Sequence, residues 1–160
     1  VVSSGRKVDM IIVDYGDLLV PTIRYKEKRT ELESIYEELR ALAFDFDCPL
    51  WTASQTNRSG LNAEVVTMES ISEAFNKCFV ADFIFCVSRT VEDKKTNSGR
   101  VFIAKNRNGP DGIVMPIYMN TSIVKIEVLD EPSIPTSQFQ ERVAKNKKAE
   151  IFKKFRTPKN

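Results

Sequence analysis

Val8-Asp9-Met10-Ile11-Ile12-Val13-Asp14-Tyr15 is a short apolar run that closes on a carboxylate. Its nearly unbroken apolar character predicts a buried strand over Val8–Val13, with Asp14 delivered to the strand tip. In nucleotide hydrolases an acid so placed holds the Mg²⁺ of the bound nucleoside triphosphate. The loop that grips the phosphates, G-x-x-x-x-G-K-[ST], belongs upstream of that acid. The 160 residues contain no such motif, before Asp14 or after it. The run therefore reads as part of a phosphate-handling site whose cradle is missing.

Working outward, Tyr15–Arg29 holds Gly16, Pro21 and a cluster of charges, which predicts a loop. Thr30 and Glu33 have the spacing of a capping box, whose side chains satisfy the first free N–H groups of a helix. Behind them Leu32, Ile35, Tyr36, Leu39, Leu42, Ala43 and Phe46 share one helical face, and the helix is expected to stop before Pro49. Pro49–Ser54 reads as a second short strand ending on Gln55, and Trp51 within it as a core residue. Thr56–Val66 is polar and reads as a loop. Thr67–Phe79 has a weaker helical pattern. Phe83–Ser88 is a third strand of buried type, and Val91–Gly99 a charged turn region. Arg100–Lys105, Ile113–Met119 and Ser122–Val128 follow as strands joined by tight polar connections. Strand alternates with helix early and strand follows strand later. The class implied is α/β, a mostly parallel sheet with antiparallel strands added at its C-terminal side.

Composition narrows the chemistry. The chain has no His, and Cys48, Cys78 and Cys86 lack metal-ligand spacing, so zinc sites and His-based catalysis are set aside. Reduced thiols suit a cytoplasmic protein, or the host cytoplasm for a viral one. No apolar stretch approaches the ~20 residues of a membrane span. The net charge is only +2, but residues 131–160 carry +5 and residues 1–130 carry −3. Pro132 and Pro135 mark the exit from the domain at about residue 130. A basic, mobile tail is expected over 131–160, with Phe139, Val143, Phe152 and Phe155 on one amphipathic face. The start at Val1-Val2-Ser3, without Met, reads as a piece of a longer chain.

Three side-chain sets carry candidate chemistry. Gln55 follows the second strand as Asp14 follows the first, and ligands of open α/β sheets bind at such carboxyl ends. An amide there orients a water or senses a terminal phosphate without adding charge. Lys105 and Arg107 stand two residues apart and so point the same way along extended chain. The Gly109-Pro110-Asp111-Gly112 reversal beyond them pins the pair at a tip, the placement of an arginine finger that acts across a subunit boundary. Asn57, Arg58 and Ser59 are able to bond nucleic-acid phosphates. Alternative readings of these sets are a loop-anchoring amide and a plain basic turn.

In order and spacing, IIVDYGDLL, LRALAFDFDCPLWTASQTNRSG, ADFIFCVSRT and VFIAKNRNGPDG resemble the RecA-like ATPase domain of DnaB-type replicative helicases, particularly those of phages. The resemblance covers about residues 8–128. It implies a RecA-like P-loop NTPase core, incomplete at the N-terminus. It further implies a hexameric ring of identical subunits that hydrolyses ATP or another NTP with Mg²⁺ and translocates 5′ to 3′ on single-stranded DNA. Primase or a helicase loader would be a further partner. By the same resemblance Asp14 is the Mg²⁺-holding acid, Gln55 the γ-phosphate sensor, and Lys105 and Arg107 the pair reaching a neighbour's site. The loops after Gln55 and around Met68–Phe79 face the DNA channel, with Ser72 near the place of an Arg in the bacterial pattern. Without the P-loop and the family's catalytic glutamate, the chain alone is expected to be inactive. A RecA-type recombinase and a non-catalytic DNA-binding or helicase-interacting module are the alternatives.

Overall fold

The computed structural model describes residues 5, 7–56, 65, 75–130 and 134–156. Strand β1 (Ile11–Val13) pairs in parallel with β2 (Leu50–Thr52), Ile12 opposite Trp51 and Val13 opposite Thr52. Helix α1 (Lys28–Asp45) makes the crossover that a parallel pair requires, since the chain must return to the same end of the sheet. It buries Leu32, Ile35, Tyr36 and Leu39, with Val13, Leu50 and Val80 packed against them. Each such apolar side chain is worth on the order of 1.5–3 kcal/mol over leaving it in water. The expected Thr30–Glu33 box does not begin this helix. Glu27 is the N-cap, in extended conformation and without a side-chain cap hydrogen bond, so the chain turns helical earlier and Thr30 already lies in the first turn.

The second half is an antiparallel ladder. After α2 (Phe75–Val80) come β3 (Phe83–Ser88), α3 (Val91–Thr96), β4 (Ser98–Asn106), β5 (Ile113–Asn120) and β6 (Lys125–Val128), in the sheet order β3-β4-β5-β6. Here β7 (Ile134–Pro135) pairs with β5 and runs straight into α4 (Thr136–Arg156). Cys86, Phe102, Ala104 and Val114 form the core, and Ile84, Ile134 and Phe139 pack on it. The 131–160 segment thus contributes a strand and an aromatic side chain to the sheet's core. The parallel pair precedes the antiparallel strands, as expected, and in extent the antiparallel ladder is the larger.

Two strands read as fully buried are not. Ile12 is 73% exposed, and in β3 Phe83, Phe85 and Val87 face outward while Cys86 and Ser88 face in. Trp51, read as core, is 42% exposed and meets Phe83 and Phe85 edge-on at 6.3 and 5.9 Å. Ile12 and Trp51 are register neighbours in the two-stranded parallel sheet, and Trp51 meets the outward side chains of β3, which belongs to the separate antiparallel sheet. A run buried on both faces and a run buried on one face look alike when both faces are apolar. Among the described residues no helix is long and apolar enough to cross a membrane.

The charged stretch Val91–Gly99, expected as a turn, holds α3. Thr90 Oγ1 accepts from the Asp93 N–H at 3.2 Å, and the Asp93 carboxylate accepts from the Thr90 N–H and hydroxyl at 2.7 Å each, a complete capping box. Arg100 of β4 then closes a bidentate pair with Asp93 at 2.8 and 3.0 Å. Burial alone would raise the Asp93 carboxyl. The Thr90 hydrogen bonds and the Arg100 guanidinium outweigh burial and bring it down to about 2. A lowered native pKa stabilises the fold above the unfolded value and stops doing so as pH falls through the native one. Asp93→Asn is therefore expected to cost about 2–3 kcal/mol at pH 7, with the gap to wild type shrinking between about pH 4 and pH 2. Urea unfolding across that range checks this, and a gap that stays constant into acid contradicts it.

Candidate functional site

Since β1 and β2 run parallel, their carboxyl ends lie at one edge, where Asp14 leaves the first strand and Gln55 follows the second. The structure brings these two expected residues together. Gln55 Nε2 donates to the hydroxyl of Tyr15, the residue next to Asp14, at 2.9 Å. Both Asp14 and Gln55 are exposed, open to a ligand. Gly16 seals the floor beneath them. Its N–H donates to Thr52 Oγ1 at 2.8 Å, and a Cβ there would sit 3.2–3.3 Å from Thr52, Leu39 and Tyr36 atoms. The close approach of backbone to β2 and α1 explains the glycine.

Below this edge lies a polar cluster that sequence reasoning missed. Lys77 of α2 is only 3% exposed, and its Nζ donates to both Asp17 carboxylate oxygens at 3.0 Å and to Ser54 Oγ at 2.6 Å. Ser54 Oγ in turn donates to Asp17 Oδ2 at 2.9 Å, and Tyr36 of α1 donates its hydroxyl to Asp17 Oδ1 at 2.8 Å. Lys77 also sits 5.5 Å from the centre of the Tyr36 ring. Burial first, then the Asp17 carboxylate, pushes the Tyr36 phenol well above its usual range, so it remains a donor at any physiological pH. One carboxylate thus gathers the single 3-10 turn after β1 (Gly16–Leu18), the end of β2, α1 and α2. In the sequence Asp17 and Lys77 are 60 residues apart, and no spacing rule couples them.

Lys105 and Arg107 do point the same way, but toward the C-terminus of α2. Lys105 Nζ donates to the carbonyls of Cys78 and Phe79 at 2.9 and 3.1 Å. Arg107 pairs with Asp82 at 2.6 Å, its backbone N–H donates to the Asp82 carbonyl, and Arg40 engages Asp82 and the Val80 carbonyl from α1. Cations at a helix C-terminus complement its unsatisfied carbonyls. The two cations therefore contact α2 and its exit rather than the Asp14–Gln55 edge. Asn57, Arg58, Ser59 and Ser72 lie outside the described residues.

The donor set suits a magnesium ion carried in with a polyphosphate. Among the described residues no group of three His, Cys, Asp or Glu side chains converges as a metal cage. Mg²⁺ is commonly held by one or two carboxylates with the remaining positions filled by substrate phosphates and water, and Asp14 supplies one such exposed carboxylate. Cys78 and Cys86 take no part. Burial raises both thiols, Cys86 to about 11, which disfavours the thiolate form.

A parallel pair whose following loops gather polar side chains at the carboxyl edge defines an α/β domain of the kind that binds its ligand there. The family model for the DnaB-like helicase C terminal domain matches residues 2–127, and the chain belongs to that family. It is 36% identical over 103 residues to the DnaB-like replicative helicase of Enterobacteria phage T4, spanning 62% of this chain and 22% of that protein. It is 31% identical over 136 residues to the replicative DNA helicase DnaB of Geobacillus stearothermophilus, spanning 79% of this chain and 30% of that one. The chain thus spans less than a third of these relatives' length. Its fold is similar to a solved ATPase domain, with TM-score 0.66 and 22% identity over 76% of this chain and 44% of that one. It is also similar to a DnaB-like replicative helicase solved for its interactions with primase, with TM-score 0.62 and 23% identity over 70% of this chain and 29% of that one. The RecA-like core expected from the motifs is the fold observed.

Tyr36→Phe removes one donor from Asp17 and keeps the ring under Lys77. A loss of about 1–2 kcal/mol in unfolding free energy is expected, the worth of a hydrogen bond to a charged group. Calorimetry that finds the variant as stable as wild type contradicts the placement of that hydroxyl.

Proposed function

We propose that this chain is the part of a DnaB-like replicative helicase motor that supplies the metal-holding acid, the terminal-phosphate sensor and a trans-acting cation pair. The observation that carries this is the meeting of Asp14 and Gln55 at one carboxyl edge, in a chain of the DnaB-like family. Asp14 would hold the Mg²⁺ that accompanies ATP or another NTP, and Gln55 would sense the γ-phosphate. The phosphate cradle, absent from these 160 residues, comes from polypeptide outside them, and the chain alone hydrolyses nothing. Residues 1–130 form most of the motor portion, completed by β7 and Phe139, and the basic remainder of 131–160 offers a surface for an acidic partner.

Catalysis in this scheme needs a neighbour. Identical subunits assemble as a hexameric ring, and Lys105 and Arg107 reach from one subunit into the site of the next. The Arg107–Asp82 pair is about half exposed on both sides, and such surface pairs contribute at most ~1 kcal/mol. Arg107 is therefore able to exchange Asp82 for a phosphate at little cost. Asn57, Arg58, Ser59 and Ser72 contact single-stranded DNA in the channel, along which the ring moves 5′ to 3′. A solved relative's interactions with primase support primase as a partner, beside a helicase loader.

In the assembled motor, Arg107→Ala is expected to lower turnover by about 10³-fold or more, the scale of a missing trans arginine, while nucleotide binding persists. Gln55→Ala is expected to abolish DNA-stimulated hydrolysis. Steady-state ATPase assays alongside nucleotide-binding titrations check both. Near-normal hydrolysis by Arg107→Ala refutes the finger, and near-normal hydrolysis by Gln55→Ala refutes the phosphate-sensing role.

A further inference from the structure

We propose that β6 is a docking edge for a second copy of this chain, paired antiparallel about a two-fold axis at Ile126. The proposal is independent of the Asp14–Gln55 edge and of the motor function. β6 ends the sheet order β3-β4-β5-β6, so one of its sides faces β5 and the other closes the ladder. Leu129 donates its N–H to the Pro116 carbonyl at 3.0 Å, while Met119 of β5 turns its N–H the other way, to the Asn97 carbonyl. Backbone groups alternate along an antiparallel strand, so Lys125 and Glu127 share the inward direction of Leu129. The N–H and carbonyl groups of Ile126 and Val128 then point outward, as the template for an added strand. Edge strands are commonly blunted by a proline or a bulge, and β6 runs in even register with β5 and has neither.

The order of the side chains selects the partner. Val124, Ile126 and Val128 are 91%, 57% and 60% exposed, and they alternate with Lys125 and Glu127. Set antiparallel against itself with Ile126 opposite Ile126, the segment places each Lys125 opposite Glu127 of the second copy. The same register sets Val124 opposite Val128, so apolar side chains meet on one face and opposite charges on the other. Ile126 forms the hydrogen-bonded pair at the axis, giving its N–H and receiving one in return. Centring the register on Lys125 or Glu127 instead sets like charges opposite, which is unfavourable. Lys125 and Glu127 now pair with each other at 2.9 Å, both about half exposed, and such a surface pair is exchanged at little cost. The contact uses the same patch on both copies, unlike the head-to-tail contacts of a ring, so it joins chains that are not ring neighbours.

A contact confined to one short strand is small, so a weak dimer is expected, with Kd on the order of 10⁻⁴ M. Sedimentation equilibrium of the chain at concentrations up to about 1 mM measures it. Ile126→Lys sets two cations opposite each other at the axis and is expected to raise Kd about tenfold or more. Ile126 is exposed, so the circular dichroism of that variant is expected to match wild type. Lys125→Glu is expected to raise Kd several-fold. Combining it with Glu127→Lys restores opposite charges across the axis and is expected to return Kd to within about threefold of wild type. A chain that stays monomeric to about 1 mM overturns the proposal. So does association that Ile126→Lys leaves intact, which would run through another surface such as Trp51 and Phe83. A charge-exchanged variant that associates no better than Lys125→Glu alone overturns it too. None of these results bears on hydrolysis at the Asp14–Gln55 edge, whose own variants test the motor function separately.

Discussion

The Lys77–Asp17 pair is the constraint on which the arrangement of the first half depends. A lysine sealed to 3% exposure is costly unless its charge is matched and its three protons are placed. Here both oxygens of Asp17 and the hydroxyl of Ser54 receive them. Such a pair adds little net stability over an apolar replacement of similar volume. Its effect is on specificity, because any arrangement that separates the partners strands a buried charge. The turn after β1, the end of β2, α1 and α2 are thereby held in one relation, and apolar packing of α1 supplies the bulk of the favourable energy.

That relation is what gives the carboxyl edge its chemistry. A parallel pair of only three residues per strand does little by itself to fix the loops that follow it. Gly16 against Thr52, Ser54 against Asp17 and Tyr15 under the Gln55 amide fix them instead. The antiparallel half carries the second cationic group on a separate support, the α2 C-terminus and Asp82. α2 belongs to both, since Lys77 enters the buried cluster while its last carbonyls receive Lys105. The helix thus joins the two sets of polar side chains.

Much of this was legible in the sequence wherever local pattern and tertiary role agree. The strand ending at Asp14, the amphipathic face of α1, the strand before Gln55 and the four later strands β3 to β6 follow from periodicity and turn residues. The shared edge of Asp14 and Gln55 follows from strand order. What escaped were features set by distant partners. Asp17 and Lys77 look like surface charges until the fold brings them together. The Thr90–Asp93 box was hidden because no apolar run follows it, and Glu27 displaced the expected start at Thr30. Lys105 and Arg107 showed their shared direction, but not that α2 would end against them. Trp51 and Ile12 read as core because an apolar residue in a strand does not reveal which sheet face is covered.

A double-mutant cycle on Asp17→Asn and Lys77→Met tests the central claim most directly, with urea unfolding followed by the fluorescence of Trp51, the chain's single tryptophan. Each single change is expected to cost about 3–5 kcal/mol, because each leaves one buried partner unmatched. The pair together is expected to cost far less than the sum, with a coupling energy of at least about 2 kcal/mol. Costs that add to within about 0.5 kcal/mol would show that the two side chains do not share a closed cluster, and that something else holds the edge together.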